Sequence, residues 1–369
     1  MHPRWLTWAL GSLLALVGSL PGCRRVERTV APDATMSNPH HLVARRDPAL
    51  TATVVERMPL RYVGGAVPSE DLPGHVRAGS ALGWLGRRLV VVQDDTLALG
   101  LVDLSRSHTE PVLLPRGEAN RRQFGSALGN KRHKFDLESC IAVRDEHGER
   151  LLALGSGSTR ARERIVVASP APSGALTISV LDASRLYAAL RARSDFSGSE
   201  LNIEGAAVVG ERVRLFQRGN GAPRPPLVPL DATIDLDLPS LLRFLAAPAS
   251  APLPSLDHVT SYDLGTIGGA RLTFTDATTA TDGRVVYLAS AEASPDTYHD
   301  GPVTGVALGV LDDAGARWCP VLDASGAPLD AKAEGLAPDP DDATRWYAVT
   351  DRDDPDAPAE LLTLVVAGR

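Results

Sequence analysis

The sequence predicts an all-β protein, a β-propeller of five blades with short decorating helices, and three observations support this. Past residue 50 the apolar segments are short, rich in Val, Leu, Ile and Tyr, and separated by Gly, Pro and Asp, which is typical of strands. The 369 residues include 33 glycines and 28 prolines, so turns are frequent. A weak repeat recurs every 58 to 72 residues, a period that fits propeller blades with insertions.

Each repeat starts at a small or acidic residue, continues through two apolar strands joined by a tight turn, and ends in a polar cluster. The five starts are Ser80, Glu138, Glu204, Asp276 and Glu334. The five clusters are Asp94–Asp95, Ser156–Ser158, Arg218–Asn220, Ser290–Glu292 and Thr350–Asp351. The distance from start to cluster varies little, whereas the outer loops vary, so the repeats predict equivalent hairpins.

The remaining segments complete this architecture. Thr51–Val63 is expected to supply the outer strand of the last blade and close the ring, since an open ring leaves unpaired strand edges. Residues 182–191, with Asp182 as N-cap, and residues 239–246 are predicted to form helices at the outer edge. A sixth blade within residues 105–135 is the alternative.

The N-terminus has the features of an export signal. Arg4 precedes an apolar run over residues 5–20, which is shorter than the about 20 residues of a membrane span. Leu20-Pro21-Gly22-Cys23 resembles a bacterial lipobox, which implies a lipid on Cys23. The predicted divisions are a signal peptide over 1–22, a lipid-anchored flexible tether over 23–50 and one propeller domain over 51–369. Arg24 after the cysteine favours an outer-membrane lipoprotein of the cell envelope, with secretion as the alternative.

Charge and cysteine content exclude several classes. The net charge of −7 argues against a nucleic-acid partner. Three cysteines exclude a disulfide-stapled scaffold and a four-cysteine metal site. Cys140 and Cys319 are expected to be separately buried thiols, although a bridge is possible in an oxidising compartment. A monomer is expected.

Seven segments of the chain together resemble one protein family. They are Phe135–Glu138, Leu154–Ser158, Leu201–Ala206, Phe216–Asn220, Phe274–Ala277, Ala289–Gly301 and Glu334–Asp351. The chain is similar, over residues 51–367, to an uncharacterised family of bacterial propeller-type lipoproteins, itself distantly similar to phytase-like and esterase-like propellers. The segment Asn202–Ala206 is the most specific part. The resemblance implies a propeller and an exported location, and no settled activity.

The acidic starts are expected to meet in one channel, because the first strand of each propeller blade lines the central axis. Two carboxylates about 4 Å apart repel by about 4 kcal/mol at an effective dielectric near 20, so such a ring favours a metal, a cationic partner or bound protons. Calcium is the predicted metal, since it prefers oxygen ligands. Its predicted ligands are Glu138, Glu204, Asp276 and Glu334. Hydrogen bonds to neighbouring amides, or neutralisation by Arg218, Arg160 or Lys134, are the alternative.

The polar clusters are expected to form the mouth of this channel, where loops on a rigid scaffold bind ligands. The candidate ligand-binding residues there are Asp94, Asp95, Ser156, Ser158, Arg218, Asn220, Glu292, Asp351 and His299. His299 lies in a loop that is expected to overhang the mouth. Lysine occurs only at 131, 134 and 332, and two lysines in one short run favour an anionic ligand; a solvated charge run is the alternative.

The motifs of several enzyme classes do not occur. The sequence has no Gly-x-Ser-x-Gly, no His-Glu-x-x-His and no P-loop. It therefore predicts an exported, lipid-anchored propeller that binds a divalent cation, a small ligand or both in an acid-lined channel. Two alternatives stay open: a calcium-dependent phosphoester or ester hydrolase in which Glu204 or Glu334 activates water, and an envelope scaffold that binds another protein.

Overall fold

Strands form most of the regular structure in the computed structural model, which describes residues 40–146, 148–292 and 303–368. The strands are β1 His41–Val43, β2 Arg45–Arg46, β3 Thr51–Pro59, β4 Gly79–Leu85, β5 Arg88–Gln93, β6 Ala98–Asp103, β7 His108–Leu113, β8 Leu137–Asp145, β9 Gly148–Gly155, β10 Arg164–Pro170, β11 Leu176–Asp182, β12 Ile203–Val209, β13 Arg212–Gln217, β14 Asp231–Asp237, β15 Leu256–Asp263, β16 Thr266–Ile267, β17 Ala270–Thr279, β18 Val285–Glu292, β19 Val303–Asp312, β20 Gly315–Leu322, β21 Lys332–Pro338, β22 Arg345–Asp351 and β23 Glu360–Ala367. The α-helices are α1 Ser184–Ala192, α2 Ser194–Ser197 and α3 Leu238–Ala246.

Most strands belong to antiparallel groups of four. These groups are β4–β7, β8–β11, β12–β15, β17–β20 and, from the two ends of the described chain, β21–β23 with β3. The first strands contact one another in cyclic order, β4 to β8, β12, β17, β21 and back to β4. The all-β prediction is confirmed, the arrangement is propeller-like, and Thr51–Pro59 pairs with Glu360–Ala367 as predicted.

Each of these first strands carries a β-bulge at the same place. The bulged residues, which the pairing registers skip, are Ser80, Glu138, Glu204, Thr275 and Glu334. A bulge re-aims the side chain of its extra residue. Thr275, and not Asp276, therefore holds the position equivalent to Glu204. This corrects the predicted alignment, because a shift by one residue turns a side chain to the opposite face of a strand.

The position after each bulge lies against the next sheet. A Cβ on Gly335 would lie 2.7 Å from the backbone carbon of Ala81, so no side chain fits there. Asp276, at the same position in β17, accepts hydrogen bonds from the N–H groups of Ala277 and Leu336, each at 2.7 Å. The glycine therefore allows two neighbouring sheets to approach closely, and the aspartate joins two sheets through its hydrogen bonds.

Apolar cores fill the space between neighbouring sheets. The ring of Phe274 contacts those of Phe216, Tyr262 and Tyr287 edge to face, with ring centroids 5.1 to 5.4 Å apart. Both cysteines of the described chain, Cys140 and Cys319, are free and buried within such cores. These packed cores give the central site a rigid frame.

The two predicted helices are present as α1 and α3. Asp237, rather than a residue inside the predicted range, caps α3 by accepting the N–H of Ser240 at 2.8 Å. Asp182 precedes the N-cap position of α1, Ala183, and accepts the N–H of Ser184 at 2.9 Å. None of the helices in the described part of the chain is long and apolar enough to cross a membrane.

The boundary of the predicted tether differs from that in the structure. β1 and β2, which lie inside the predicted tether of residues 23–50, pair in parallel with the outer strands β15 and β20, because outer strands have open edges that accept a partner. Residues 105–135 hold β7 and two short 3-10 turns, and no further group of four strands. The predicted signal peptide and Cys23 lie outside the described residues.

Candidate functional site

A narrow polar cavity of about 40 Å³ lies among the first strands, and charged side chains dominate its lining. The lining residues are Asp94, Lys131, Lys134, Asp136, Glu138, Arg162, Asn202, Glu204, Arg218, Asn220, Lys332, Glu334 and Asp351. All three lysines of the chain are among them. A cavity that gathers this many ionisable groups on four different sheets is the candidate functional site.

The structure brings seven predicted site residues together in the lining and places the others elsewhere. The seven are Asp94, Glu138, Glu204, Arg218, Asn220, Glu334 and Asp351. The others of the described chain, which support the lining or lie beside it, are Asp95, Ser156, Ser158, Asp276 and Glu292. Asp276 is the clearest difference, since both its oxygens accept backbone N–H groups between two sheets. His299 lies outside the described residues.

Three carboxylates form what we call the acidic triad, Asp94, Asp136 and Glu138. One oxygen from each lies within 4.8 Å of the other two. The ammonium of Lys134 forms ion pairs with Asp94 and, at 2.6 Å, with Asp136. Arg162 Nη1 lies 2.7 Å from the second oxygen of Asp136, so Asp136 is fully engaged by cations.

Two acceptors of the acidic triad have no partner among the described residues. Asp94 Oδ1 is buried without a hydrogen bond. No hydrogen bond or ion pair joins the Glu138 carboxylate to a described side chain or backbone group, although Glu138 is only 8% exposed and lines the cavity. Leaving a buried acceptor unpaired is costly, so these oxygens are available to a bound group.

Arg218, which is 3% exposed, is the cation of a second part of the lining. Its guanidinium lies 2.8 Å from Glu292 and 3.5 Å from Glu204. Asn202 donates to Glu204 at 2.7 Å and to Asn220 at 3.2 Å. Glu292 therefore reaches the site indirectly, as the second carboxylate on Arg218.

Lys332 organises the third part of the lining. Its Nζ lies 3.0 Å from Glu334 Oε1 and 3.8 Å from Asp351 Oδ2. The two residues reach it from different places: Glu334 is the bulged residue of β21, and Asp351 ends β22. Lys134, Arg218 and Lys332 thus each lie among two or more carboxylates.

Burial changes the ionisation of these carboxylates. It raises the pKa of Glu204 to about 7 and that of Asp351 to about 6, against the opposing pull of nearby cations. Burial, with the charges of Asp136 and Glu204, raises the pKa of Glu138 well above its usual range. Burial disfavours the charge on Glu292 too, but Arg218 and Lys332 outweigh it and lower its pKa to about 2.

Lowering the pH from about 8 to about 5 is expected to raise the melting temperature of the metal-free protein by a few degrees. The folded state binds protons at Glu204 and Asp351 more tightly than the unfolded state does. Protonation therefore favours folding as the pH falls, and this stability is lost as the pH rises through about 6 to 7. Burial lowers the pKa of His75, so protonation of this one group disfavours the folded state and opposes the trend.

Thermal melts in the presence of a chelator would measure this dependence. The Glu204→Gln variant, which cannot take up this proton, is the matched control and should show a smaller rise. A melting temperature that falls over the same range would contradict the raised pKa values.

Sequence reasoning missed four lining residues, Asp136, Arg162, Asn202 and Lys332, and connected Lys131 and Lys134 with an anionic ligand or with neutralisation of the acids. Asp136, Asn202 and Lys332 stand two residues before the bulges at Glu138, Glu204 and Glu334. Because side chains two apart share a face of a strand, counting back by two in each repeat would have found them. Arg162 comes from a 3-10 turn, and Lys131 from another, where no period applies.

The comparisons with known proteins identify a family but no activity. Residues 75–366 match the model described as "Family of unknown function (DUF6929)". No curated protein matches the sequence.

Similar solved structures include three enzymes. One is a mannose phosphorylase from Leishmania mexicana in complex with phosphate, with a TM-score of 0.41, 13% identity and coverage of 84% of this chain and 88% of that one. A gluconolactonase from Xanthomonas campestris has a TM-score of 0.34 and 12% identity, with coverage of 88% and 99%. A luciferin-regenerating enzyme has a TM-score of 0.37 and 8% identity, with coverage of 80% and 94%. Such distant similarity assigns no ligand or reaction to this chain.

Proposed function

This chain belongs to the family of unknown function DUF6929, and we propose that it binds a small polar ligand together with a divalent cation in the central cavity. We propose in addition that the five groups of four strands are the blades of one closed propeller, whose axis is this cavity. The cyclic contacts of the first strands support this blade count.

One observation carries the proposed cation site: the acidic triad presents unpartnered oxygens to the cavity. Asp94 Oδ1 has no hydrogen bond, and the Glu138 carboxylate has neither a hydrogen bond nor an ion pair among the described residues. One carboxylate oxygen from each of Asp94, Asp136 and Glu138 lies within 4.8 Å of the other two. A single cation can contact oxygens at this spacing.

Calcium fits the chemistry of these residues. It takes six to eight oxygen ligands and accepts irregular geometry, and carboxylates are its commonest side-chain ligands. The acidic triad would supply up to three of them, and water or the small ligand would supply the rest. The proposed ligand set thus keeps Glu138 from the sequence prediction and replaces its other three members by Asp94 and Asp136. Glu204 and Glu334 are engaged by Arg218 and Lys332 instead.

Calcium is expected to raise the melting temperature of the full chain carrying Cys23→Ser, and Glu138→Gln is expected to remove most of this rise. Glutamine has nearly the shape of glutamate but cannot supply the negative charge that a hard cation needs. Calorimetric titration and thermal melts would measure both effects.

Glu56→Gln is the matched control, because Glu56 is exposed on β3 and should leave the calcium response unchanged. The proposal fails if the wild-type chain shows no calcium binding by calorimetry. That result would favour an interaction protein that binds partners across its outer surface.

We propose that the chain is exported and anchored in the cell envelope by a lipid on Cys23. The lipobox-like Leu20-Pro21-Gly22-Cys23 supports this. Expression in a bacterium that processes lipoproteins is expected to yield a membrane-bound form that incorporates labelled palmitate, and Cys23→Ser should release it. Equal labelling of the two forms would show that Cys23 carries no lipid.

A further inference from the structure

The acidic triad already holds a positive charge of the protein itself. Lys134 Nζ lies 2.6 Å from Asp136 Oδ1 and forms an ion pair with Asp94 Oδ2. Its side chain is 9% exposed. An ammonium is compact and donates in three directions, so it sits among carboxylates much as a small cation would.

When all three carboxylates of the acidic triad are ionised, they carry one more charge than Lys134 and Arg162 together. Three carboxylates face Lys134 and Arg162, and Glu138 has neither a hydrogen bond nor an ion pair among the described residues. A divalent cation in place of the ammonium, with Arg162, would balance all three carboxylates. Electrostatics therefore favours exchange of the monovalent group for a divalent one.

The backbone that carries Lys134 is well placed for such an exchange. Lys134 follows a three-residue 3-10 turn, Lys131–His133, and its N–H donates to the carbonyl of Lys131 at 3.2 Å. No residue of that turn is buried, and Arg132 is exposed to solvent. The free energy needed to move a short surface turn is smaller than that needed to move a strand. The flexible four-carbon stem of lysine also allows the ammonium to change position.

We propose that Lys134 is a displaceable occupant of the cation site: a divalent cation exchanges with its ammonium, which leaves the acidic triad for the cavity mouth. This inference rests on the proposed function and adds its regulation. Lys134 then sets the affinity of the site, because every binding event breaks its ion pairs with Asp94 and Asp136. In the absence of the metal, the same residue compensates Asp94 and Asp136.

Lysine acylation read by mass spectrometry tests the exchange in the full Cys23→Ser chain. The chain has only three lysines, so each can be followed separately. Lys134 should be protected without metal and become reactive when calcium is added. Lys332, which lines the same cavity beside Glu334 and Asp351, is the internal control, and its reactivity should stay constant.

Calorimetry on Lys134→Met provides the second measurement. Removing the ammonium should raise calcium affinity by at least an order of magnitude, while Arg87→Met, at a surface arginine whose side chain is 81% exposed, should change it little. If the methionine variant does not fold, the acylation of the wild-type chain decides alone.

The outcomes separate this inference from the proposed function. Calcium binding with an unchanged acylation of Lys134 overturns the exchange and leaves the cation site intact. Calcium binding by Lys134→Met but not by the wild-type chain supports competition by the ammonium and overturns the proposed function. Failure of both chains to bind calcium overturns both.

Discussion

Arg218→Met is expected to lower the free energy of unfolding by about 3–5 kcal/mol, the cost of removing one partner from a buried ion pair. Arg218 is 3% exposed, and its guanidinium lies 2.8 Å from Glu292 and 3.5 Å from Glu204. Methionine fills much of the same volume but takes the guanidinium away from both carboxylates. Glu204 can take up a proton, since its pKa is about 7, whereas Glu292 loses the group that lowers its pKa to about 2.

Urea denaturation of the Cys23→Ser chain would measure this loss. Arg87→Met is the matched control, because Arg87 pairs with Asp341 on the surface and its side chain is 81% exposed; no measurable change is expected. Adding Glu292→Gln to Arg218→Met should restore part of the stability, since the uncompensated carboxylate is then gone. If Arg218→Met is as stable as the control, the ion pairs at this position do not form in solution.

Gly335→Ala is expected to destabilise the protein by about 1–3 kcal/mol through overpacking. The added Cβ would lie 2.7 Å from the carbonyl carbon and 2.8 Å from the Cα of Ala81. Both are backbone atoms of the neighbouring first strand, so relief requires that two sheets move apart. Since Glu334 precedes this glycine, the shift would widen the cavity as well and weaken calcium binding.

Gly125→Ala is the control for this prediction. A Cβ on Gly125 would meet only the end of the Arg77 side chain, at 3.7 Å, and the change should be neutral or slightly stabilising. Chemical denaturation gives the stabilities, and calorimetry gives the calcium affinity. Equal stability of the two variants would show that β21 and β4 are not in close contact in solution.

The repeat made much of the fold predictable, because strand pairs of constant length leave a pattern in the sequence. The hairpins, the outer strand β3 and two helices followed from apolar periodicity and turn residues alone. The placement of Glu138, Glu204 and Glu334 in one cavity lining followed from their equivalent positions. Those features depend on local sequence, which is why they could be predicted.

The errors come from features that have no local signal. Asp276 looked equivalent to Glu204 because it precedes a small residue, but the bulge in β17 falls on Thr275. Threonine and aspartate are both compatible with that position, so the sequence does not reveal where the extra residue lies. Arg162 reaches the cavity from an irregular turn, and only the folded chain brings it to Asp136.

The sheet that contains β3 and β23 has a consequence for how the chain is made. Its outer strand β3 is translated long before its other three strands, so this sheet cannot assemble until β21–β23 have been synthesised. Until then β3 presents an unpaired edge, which favours aggregation. A nascent chain that crosses a membrane unfolded would postpone this hazard until all four strands have arrived on the same side.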